Sequence, residues 1–246
     1  MRIALFADVH ANLQALEACR ADAARRGRDR EAFLGDLVGY GADAAAVVDL
    51  AMAAVQDGAV SVRGNHDDAI DGESGYLNEM ARAGVAHARA TLNETQRAHL
   101  KHLPLIVRSA EACFVHGSAD APERFRYLDG IDAAKRCAAA AEAPITFVGH
   151  VHEQRLYFAT LGERMHLLTP TPGIAIPVPR HRRCVAVVGS VGQPRDRNPM
   201  AAYALYDATR RTLTFHRVSY DHRAAAQRIR AAGLPESIAY RVEHGI

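Results

Sequence analysis

The sequence predicts an α/β fold, and three observations carry that expectation. Short apolar runs alternate with Ala-rich amphipathic stretches from Arg2 to Val62, reading strand, helix, strand, helix, strand. That order implies parallel strands joined by crossover helices. A series of further short apolar segments, separated by turn residues, follows Ala112. Hydrophobic residues make up 49% of the 246, enough for a substantial core.

Residues 2–7 fit a buried strand that ends at Asp8-Val9-His10-Ala11-Asn12. Asp8 and His10 flank Val9, and in extended backbone such residues share a face, within reach of one bound ion. A helix is expected over 12–26, with Leu13, Leu16 and Cys19 on its apolar stripe. Asn12 is either the N-cap of that helix or a substrate contact. Residues 31–34 read as the second strand, emptying into Gly35-Asp36-Leu37-Val38-Gly39-Tyr40-Gly41. Its three glycines fit a loop pressed against something bulky or a plain turn. Residues 43–57 are Ala-rich and helical, and 58–62 form the third strand. That strand runs into Arg63-Gly64-Asn65-His66-Asp67, at the kind of strand end where open α/β sheets place ligands.

Residues 72–103 change character and predict a helical, cap-like insertion over the site, helical from about Tyr76 and stopped by Pro104. His87, His99 and His102 lie there without a metal-like arrangement and read as solvated helix residues. Residues 112–115 form a strand leading to His116-Gly117-Ser118, and 132–141 a helix. Residues 145–148 form a strand leading to Gly149-His150-Val151-His152, which repeats the alternation of Asp8 and His10. Strands over 155–158, 164–168, 184–189, 201–207 and 212–219 are expected to form a second, largely antiparallel or mixed sheet facing the first. The proline-rich residues 170–179 between them read as loop or edge. A helix over 221–232 and a short helix in the tail complete the chain, with no clean boundary to split it into domains.

Composition narrows the function. Lys and Arg total 30 against 28 Asp and Glu, a net charge of +2 that argues against a dedicated nucleic-acid coat or membrane binder. The four cysteines are scattered, with no Cys-x-x-Cys pair, so neither a zinc finger nor a disulfide framework is expected. The apolar start is too short for a signal peptide, and no run approaches the ~20 apolar residues of a membrane helix. A soluble, cytoplasmic protein is the expectation.

Asp8, His10, Asp36, Asn65, His66, His116, His150 and His152 all stand just after expected strands. This mixed nitrogen and oxygen set suits manganese, iron, zinc, nickel or cobalt, and suits calcium poorly. It is too large for one four-coordinate ion, whereas two ions sharing a bridging carboxylate use it well.

The blocks Asp8-Val9-His10, Gly35-Asp36, Gly64-Asn65-His66-Asp67, His116 and Gly149-His150-Val151-His152 occur in that order. In this the chain resembles the calcineurin-like metallophosphoesterases of the small prokaryotic type. The resemblance implies a four-layer αββα sandwich of two mixed β-sheets flanked by helices. It implies one metal on Asp8, His10, Asp36 and His152, and another on Asp36, Asn65, His116 and His150, with manganese favoured. It makes His66 the catalytic histidine and Asp67 its orienting partner. Arg63 is a candidate for phosphate, with a surface salt bridge as its alternative. The loop Gly189-Ser190-Val191-Gly192-Gln193-Pro194-Arg195-Asp196 resembles one in small family members, and Arg195 is a second candidate. Ser118 lacks the Gly-x-Ser-x-Gly elbow of a serine nucleophile and reads as a loop hydroxyl.

The expected activity is metal-dependent hydrolysis of a nucleotide or other small phosphoester, as a phosphodiesterase or phosphatase, by a hydroxide bridging two ions. A protein phosphatase fits less well, because the chain is short. The alternatives are a non-catalytic scaffold and a nucleotide-binding regulatory module on the same fold.

Overall fold

The structure, a computed structural model, describes residues 1–72, 77–160, 162 and 164–246. Residues 73–76 fall outside it, so the expected start of the helical insertion, Tyr76 included, lies outside the described residues.

Two six-stranded sheets stack face to face. The first runs β3 (Val60–Val62), β2 (Arg30–Leu34), β1 (Arg2–Phe6), β11 (Ala201–Asp207), β12 (Thr212–Val218), β9 (Ala175–Pro177). The second runs β4 (Ile106–Arg108), β5 (Cys113–Val115), β6 (Ile145–Val148), β10 (Cys184–Val188), β7 (Gln154–Ala159), β8 (Met165–Leu168). β1 to β3 are parallel, as the crossover pattern predicts, and so are β5, β6 and β10.

The period-two geometry of strands sorts the side chains into layers. On β1, Ala4 and Phe6 face the helices, whereas Leu5 packs between the sheets, as does Ala7 just beyond the strand. On β10, Val185 and Val187 turn outward, while Cys184, Ala186 and Val188 turn inward. Strands buried on both faces read as unbroken apolar runs, which is why β6 and β10 were legible in the sequence. The inter-sheet layer is aromatic at its centre, with Phe147 packed 5.5 Å from Phe114 and 5.1 Å from Tyr206.

Helices α1 (Leu13–Arg25), α2 (Ala44–Gln56), α7 (His222–Ala231) and α8 (Glu236–His244) contribute to the core on the outside of the first sheet. Helix α6 (Ile131–Ala141) covers the second through Ala134, Cys137 and Ala138. Asn12 caps α1, its Oδ1 accepting the Ala15 N–H at 3.1 Å.

One expectation is corrected. β11 and β12 do not join the second sheet but extend the first, because β1 pairs with β11 as well as β2. β1 is buried on both sides and requires a ladder partner on each edge to satisfy its backbone. The antiparallel register Arg2↔Asp207 also brings those two side chains into an ion pair at 3.3 Å. β4 is a strand the sequence did not reveal, and of the loop or edge expected over 170–179 the structure forms an edge strand, β9, that carries Pro177.

The inserted helices are α4 (Glu79–Thr91) and α5 (Glu94–His102), both packed on α2. A Cβ on Gly84 of α4 would lie 2.1 Å from the Tyr40 backbone, so only glycine allows α4 so close to the loop after β2. Among the described residues no helix is long and apolar enough to cross a membrane.

Candidate metal centre

The parallel strands of both sheets end at the same rim, and the sequence places a polar side chain just past each end. Asp8 and His10 follow β1, Asp36 follows β2, Asn65 and His66 open the short helix α3 (Asn65–Asp68) after β3, His116 follows β5, and His150 and His152 follow β6. Asp8, His10, Asp36, His150 and His152 adopt left-handed backbone with φ between 49° and 69°. Such a residue ends the ladder and turns its side chain across the rim. Gly64 permits the closest approach: a Cβ there would lie 2.2 Å from Asp36 Oδ1.

Three overlapping groups result, each with its ligand atoms within 4.8 Å of one another: Asp8, His10 and His152; His10, Asp36 and His66; Asp36, His116 and His150. All are buried. Asp36 stands between them, its Oδ2 at 3.4 Å from His116 Nε2 and 3.8 Å from His10 Nε2. Its Oδ1 accepts the His66 backbone N–H at 2.8 Å. Asn65 Oδ1 lies 3.1 Å from His116 Nε2.

The imidazoles are oriented from behind. The Nδ1 of His10, His116 and His152 meets the carbonyls of Val38, Leu34 and Gln193 at 3.2, 2.8 and 2.6 Å. A carbonyl only accepts, so each Nδ1 carries the proton and each Nε2 presents a lone pair to the rim. Yet His10 Nε2 faces His152 Nε2 at 3.1 Å, and His116 Nε2 faces His150 Nδ1 at 3.0 Å. The His10 and His152 nitrogens oppose two lone pairs, which repel at that separation unless a proton or a cation lies between them, whereas His150 Nδ1 can itself donate to His116 Nε2. The donor set therefore fits divalent metal ions, with the backbone carbonyls as the supporting shell such ligands usually have.

Electrostatics agree. Burial pushes Asp8 up to about 7, with Asp36 adding to the rise. Burial would also raise Asp36, but His116 and His66 hold it well below the usual carboxylate range. Burial would lower His116, but the charge and hydrogen bond of Asp36, with Asp8 and the Leu34 carbonyl, together outweigh it and move it up to about 9. Burial and the His116 charge push His150 down to about 3, and burial keeps His10 and His152 well below the ordinary imidazole value. The site thus stores a proton where a cation would replace it.

His66 is buried beside the cluster, edge-on to His10 at 4.8 Å, with Nε2 3.9 Å from Asp36 Oδ2. Asp67 does not bond its ring. The Asp67 carboxylate accepts the N–H groups of Gly64 at 3.0 Å and Val38 at 3.2 Å, tying two rim loops together. Among the described residues His66 Nδ1 has no hydrogen-bond partner, and it faces Gly39, whose Cβ would lie 2.1 Å away.

The two arginine candidates part company. Arg63 donates to the Lys101 carbonyl at 3.0 Å and pairs with Asp68 at 3.3 Å, at a groove shared with Arg97 and Lys101, so it does not join the cluster. Arg195 reaches it: its guanidinium lies 3.2 Å from Gln193 Oε1, 3.5 Å from the Tyr40 hydroxyl and 5.9 Å from the Tyr40 ring centre. Its charge acts on Asp8, His10, His66, His150 and His152. Asn12 is committed to structure, since its amide also donates to the Gly192 carbonyl and the Tyr220 hydroxyl. Ser118 donates to Asp120 and is a loop hydroxyl.

Sequence reasoning missed Tyr40 and Tyr127. Tyr40 lies between two glycines of a stretch read as pressed against something bulky, and it contacts His10 and His66 at 4.7 Å each. Tyr127 carries no local signal. Its ring stacks on His150 at 3.8 Å and 18°.

Comparison with known proteins is consistent with this rim. Residues 1–211 match the family model described as the calcineurin-like phosphoesterase superfamily domain. The chain is 30% identical to an uncharacterized protein of Methanocaldococcus jannaschii, covering 98% of this chain and 96% of that one. A crystal structure of a metallophosphoesterase from Sphaerobacter thermophilus superposes with a TM-score of 0.88 at 35% identity, covering 100% and 99% of the two chains. A hypothetical protein from Pyrococcus horikoshii shares the fold, with a TM-score of 0.78 at 20% identity over 100% and 98%.

Proposed function

The chain belongs to the calcineurin-like phosphoesterase superfamily, and from that premise we propose that it hydrolyses small phosphate esters with two divalent metal ions. One observation carries the reading: three overlapping buried groups of carboxylate and imidazole share Asp36 and His10, and the Nε2 lone pairs of His10 and His152, opposed at 3.1 Å, call for a cation between them. Asp8, His10, Asp36 and His152 would hold one ion. Asp36, Asn65, His116 and His150 would hold the other. Manganese is favoured among the metals that the nitrogen and oxygen set suits. When bound, such ions act as Lewis acids on phosphoryl oxygen and acidify water.

The protein's own groups supply the rest. Arg195, steadied by Gln193 and Tyr40, is placed to bind phosphoryl oxygens at the mouth of the site. His66 holds a proton at Nε2 for the departing oxygen. Asp67 keeps the loops of Val38 and Gly64 in register around it. Burial of the cluster excludes bulk water and strengthens each of these interactions.

The test is hydrolysis of p-nitrophenyl phosphate and its bis ester by purified protein loaded with manganese, zinc, nickel or cobalt. Turnover that needs the ion and stops on chelation is expected. Arg195→Ala should lower kcat/KM by about tenfold or more, the range for losing a charge-assisted contact. Absence of turnover with every ion would refute the proposal.

A further inference from the structure

Beside the metal-binding residues lies a cavity of about 690 Å³, lined among others by Asn65, His66, Leu77, Phe125, Tyr127 and His150. That volume is within the roughly 300–1,000 Å³ range of small-molecule sites. Tyr127 is conspicuous in it. One face of its ring stacks on His150, yet the residue is 54% exposed. An aromatic side chain left so open is expected to be loosely held, but this one is pinned on both sides. Phe125 is in left-handed backbone at φ 46°, and the Arg126 guanidinium pairs with Asp120 at 3.3 Å. Gly117 lets the strand end lie against this segment, since a Cβ there would meet the Arg126 carbonyl at 2.9 Å. On the other side Leu128 is fully buried. The result is a fixed, flat, apolar surface, standing next to a side chain of the metal centre and open to the cavity.

The surrounding charge does not favour an ionic occupant. Acids and arginines are nearly balanced along its wall, with Asp120 paired to Arg126 and Arg136 and Asp68 paired to Arg63. A neutral planar ring gains most from such a surface, by dispersion and by stacking on the outer face of Tyr127.

We infer that Tyr127 is a specificity-determining residue that receives a planar aromatic ring carried by the alcohol part of the phosphoester. The inference rests on the phosphoesterase reading and adds a substrate class to it: esters with a flat ring, a nucleobase or an aryl group, near the scissile bond. The ring extends the stack begun by His150 and Tyr127, which orients the phosphoryl group toward the metal-binding side chains.

The experiment compares esters that share the scissile bond and differ in the ring. Adenosine 5′-phosphate is set against ribose 5-phosphate, 3′,5′-cyclic adenylate against the cyclic phosphate of ribose, and benzyl phosphate against cyclohexylmethyl phosphate. The ratio of kcat/KM within each pair is the readout. The native protein should favour the aromatic member by about tenfold or more. The ratio should fall toward one in Tyr127→Ala and Tyr127→Leu and persist in Tyr127→Phe, since stacking does not use the hydroxyl. A preference confined to the adenylate pairs identifies a nucleobase, and one shared by all pairs identifies any flat ring. A native ratio near one, or one that Tyr127→Ala leaves unmoved, overturns the inference. If none of these esters is hydrolysed with any ion, the hydrolase reading fails instead. Calorimetric binding of adenosine and ribose methylenephosphonates to the native and Tyr127→Ala proteins then decides the question: a native preference that the variant loses supports the platform, and equal binding overturns it.

Discussion

The layer between the sheets and the rim where the strands end are built on opposite principles. Between the sheets, Leu5, Leu34, Phe147, Tyr206 and Phe215 are fully or almost fully buried on regular strands. Among the described residues no strand contains a positive-φ residue other than glycine. At the rim, Asp8, His10, Ala11, Asp36, Tyr40, His150 and His152 all adopt left-handed backbone, and most of these buried side chains are carboxylates and imidazoles. Each such residue costs roughly 1–2 kcal/mol against ordinary backbone, somewhat less for Asp. The rim therefore does not hold its shape through local preference. It holds because the strands beneath it are fixed and because cross-links between loops over-determine it.

The largest expected effects test that division directly. Asp36→Asn should reduce turnover by about a hundredfold to a thousandfold, the scale for losing one preorganised electrostatic group from a catalytic site. The unfolding midpoint of the chelated protein should change little. Phe147→Ala should do the reverse, lowering stability by about 3–5 kcal/mol in denaturant titration while the folded fraction keeps its metal content. If each variant loses both properties together, rim and core are not separable.

A smaller effect probes a titrating group in the body of the fold. His216 on β12 is 5% exposed, stacked on Tyr203, and burial pushes its imidazole down to about 4 from 6.5. Above pH 6.5 both folded and unfolded chains carry it neutral, so it contributes nothing to the pH dependence. As pH falls below 6.5 the unfolded chain takes up the proton first, and the native state loses up to about 3 kcal/mol by the time pH reaches the folded value. Urea titrations from pH 7.5 to 4.5 should show this loss in the native chain and not in His216→Gln. Parallel curves for the two proteins would contradict it.

The smallest effect concerns strain away from the rim. Glu142 ends α6 at φ 56° and is exposed. Glu142→Gly should raise stability by about 0.5–1 kcal/mol without changing turnover, because glycine adopts this conformation freely. A loss of stability would mean that left-handed backbone carries no strain at this position.

Much of the rim was legible because each polar residue follows its strand directly in sequence, so local pattern alone marked it. Sheet membership was less legible. β10 and β11 are both apolar runs buried on both faces, and nothing local tells which sheet edge each will meet. The two arginines show the same limit. Arg63 adjoins the Gly-Asn-His string, but the Lys101 carbonyl at the end of α5 and the Asp68 carboxylate hold it. Arg195 is distant in sequence and reaches the rim because β10 runs parallel to β6. Tyr127 lay beyond sequence reasoning, since its stacking depends on the path between β5 and α6 rather than on any motif.

The loop after β10 has a temporal consequence. On the ribosome, every side chain that would grip the ions has been made once His152 is added. Yet the Nδ1 of His152 awaits the Gln193 carbonyl, and the Asp8 carbonyl awaits the Ser190 hydroxyl and the Gly192 N–H. His10 and His116 find their Val38 and Leu34 carbonyls in chain already made, so the late segment supplies the last supports, those of His152 and Asp8.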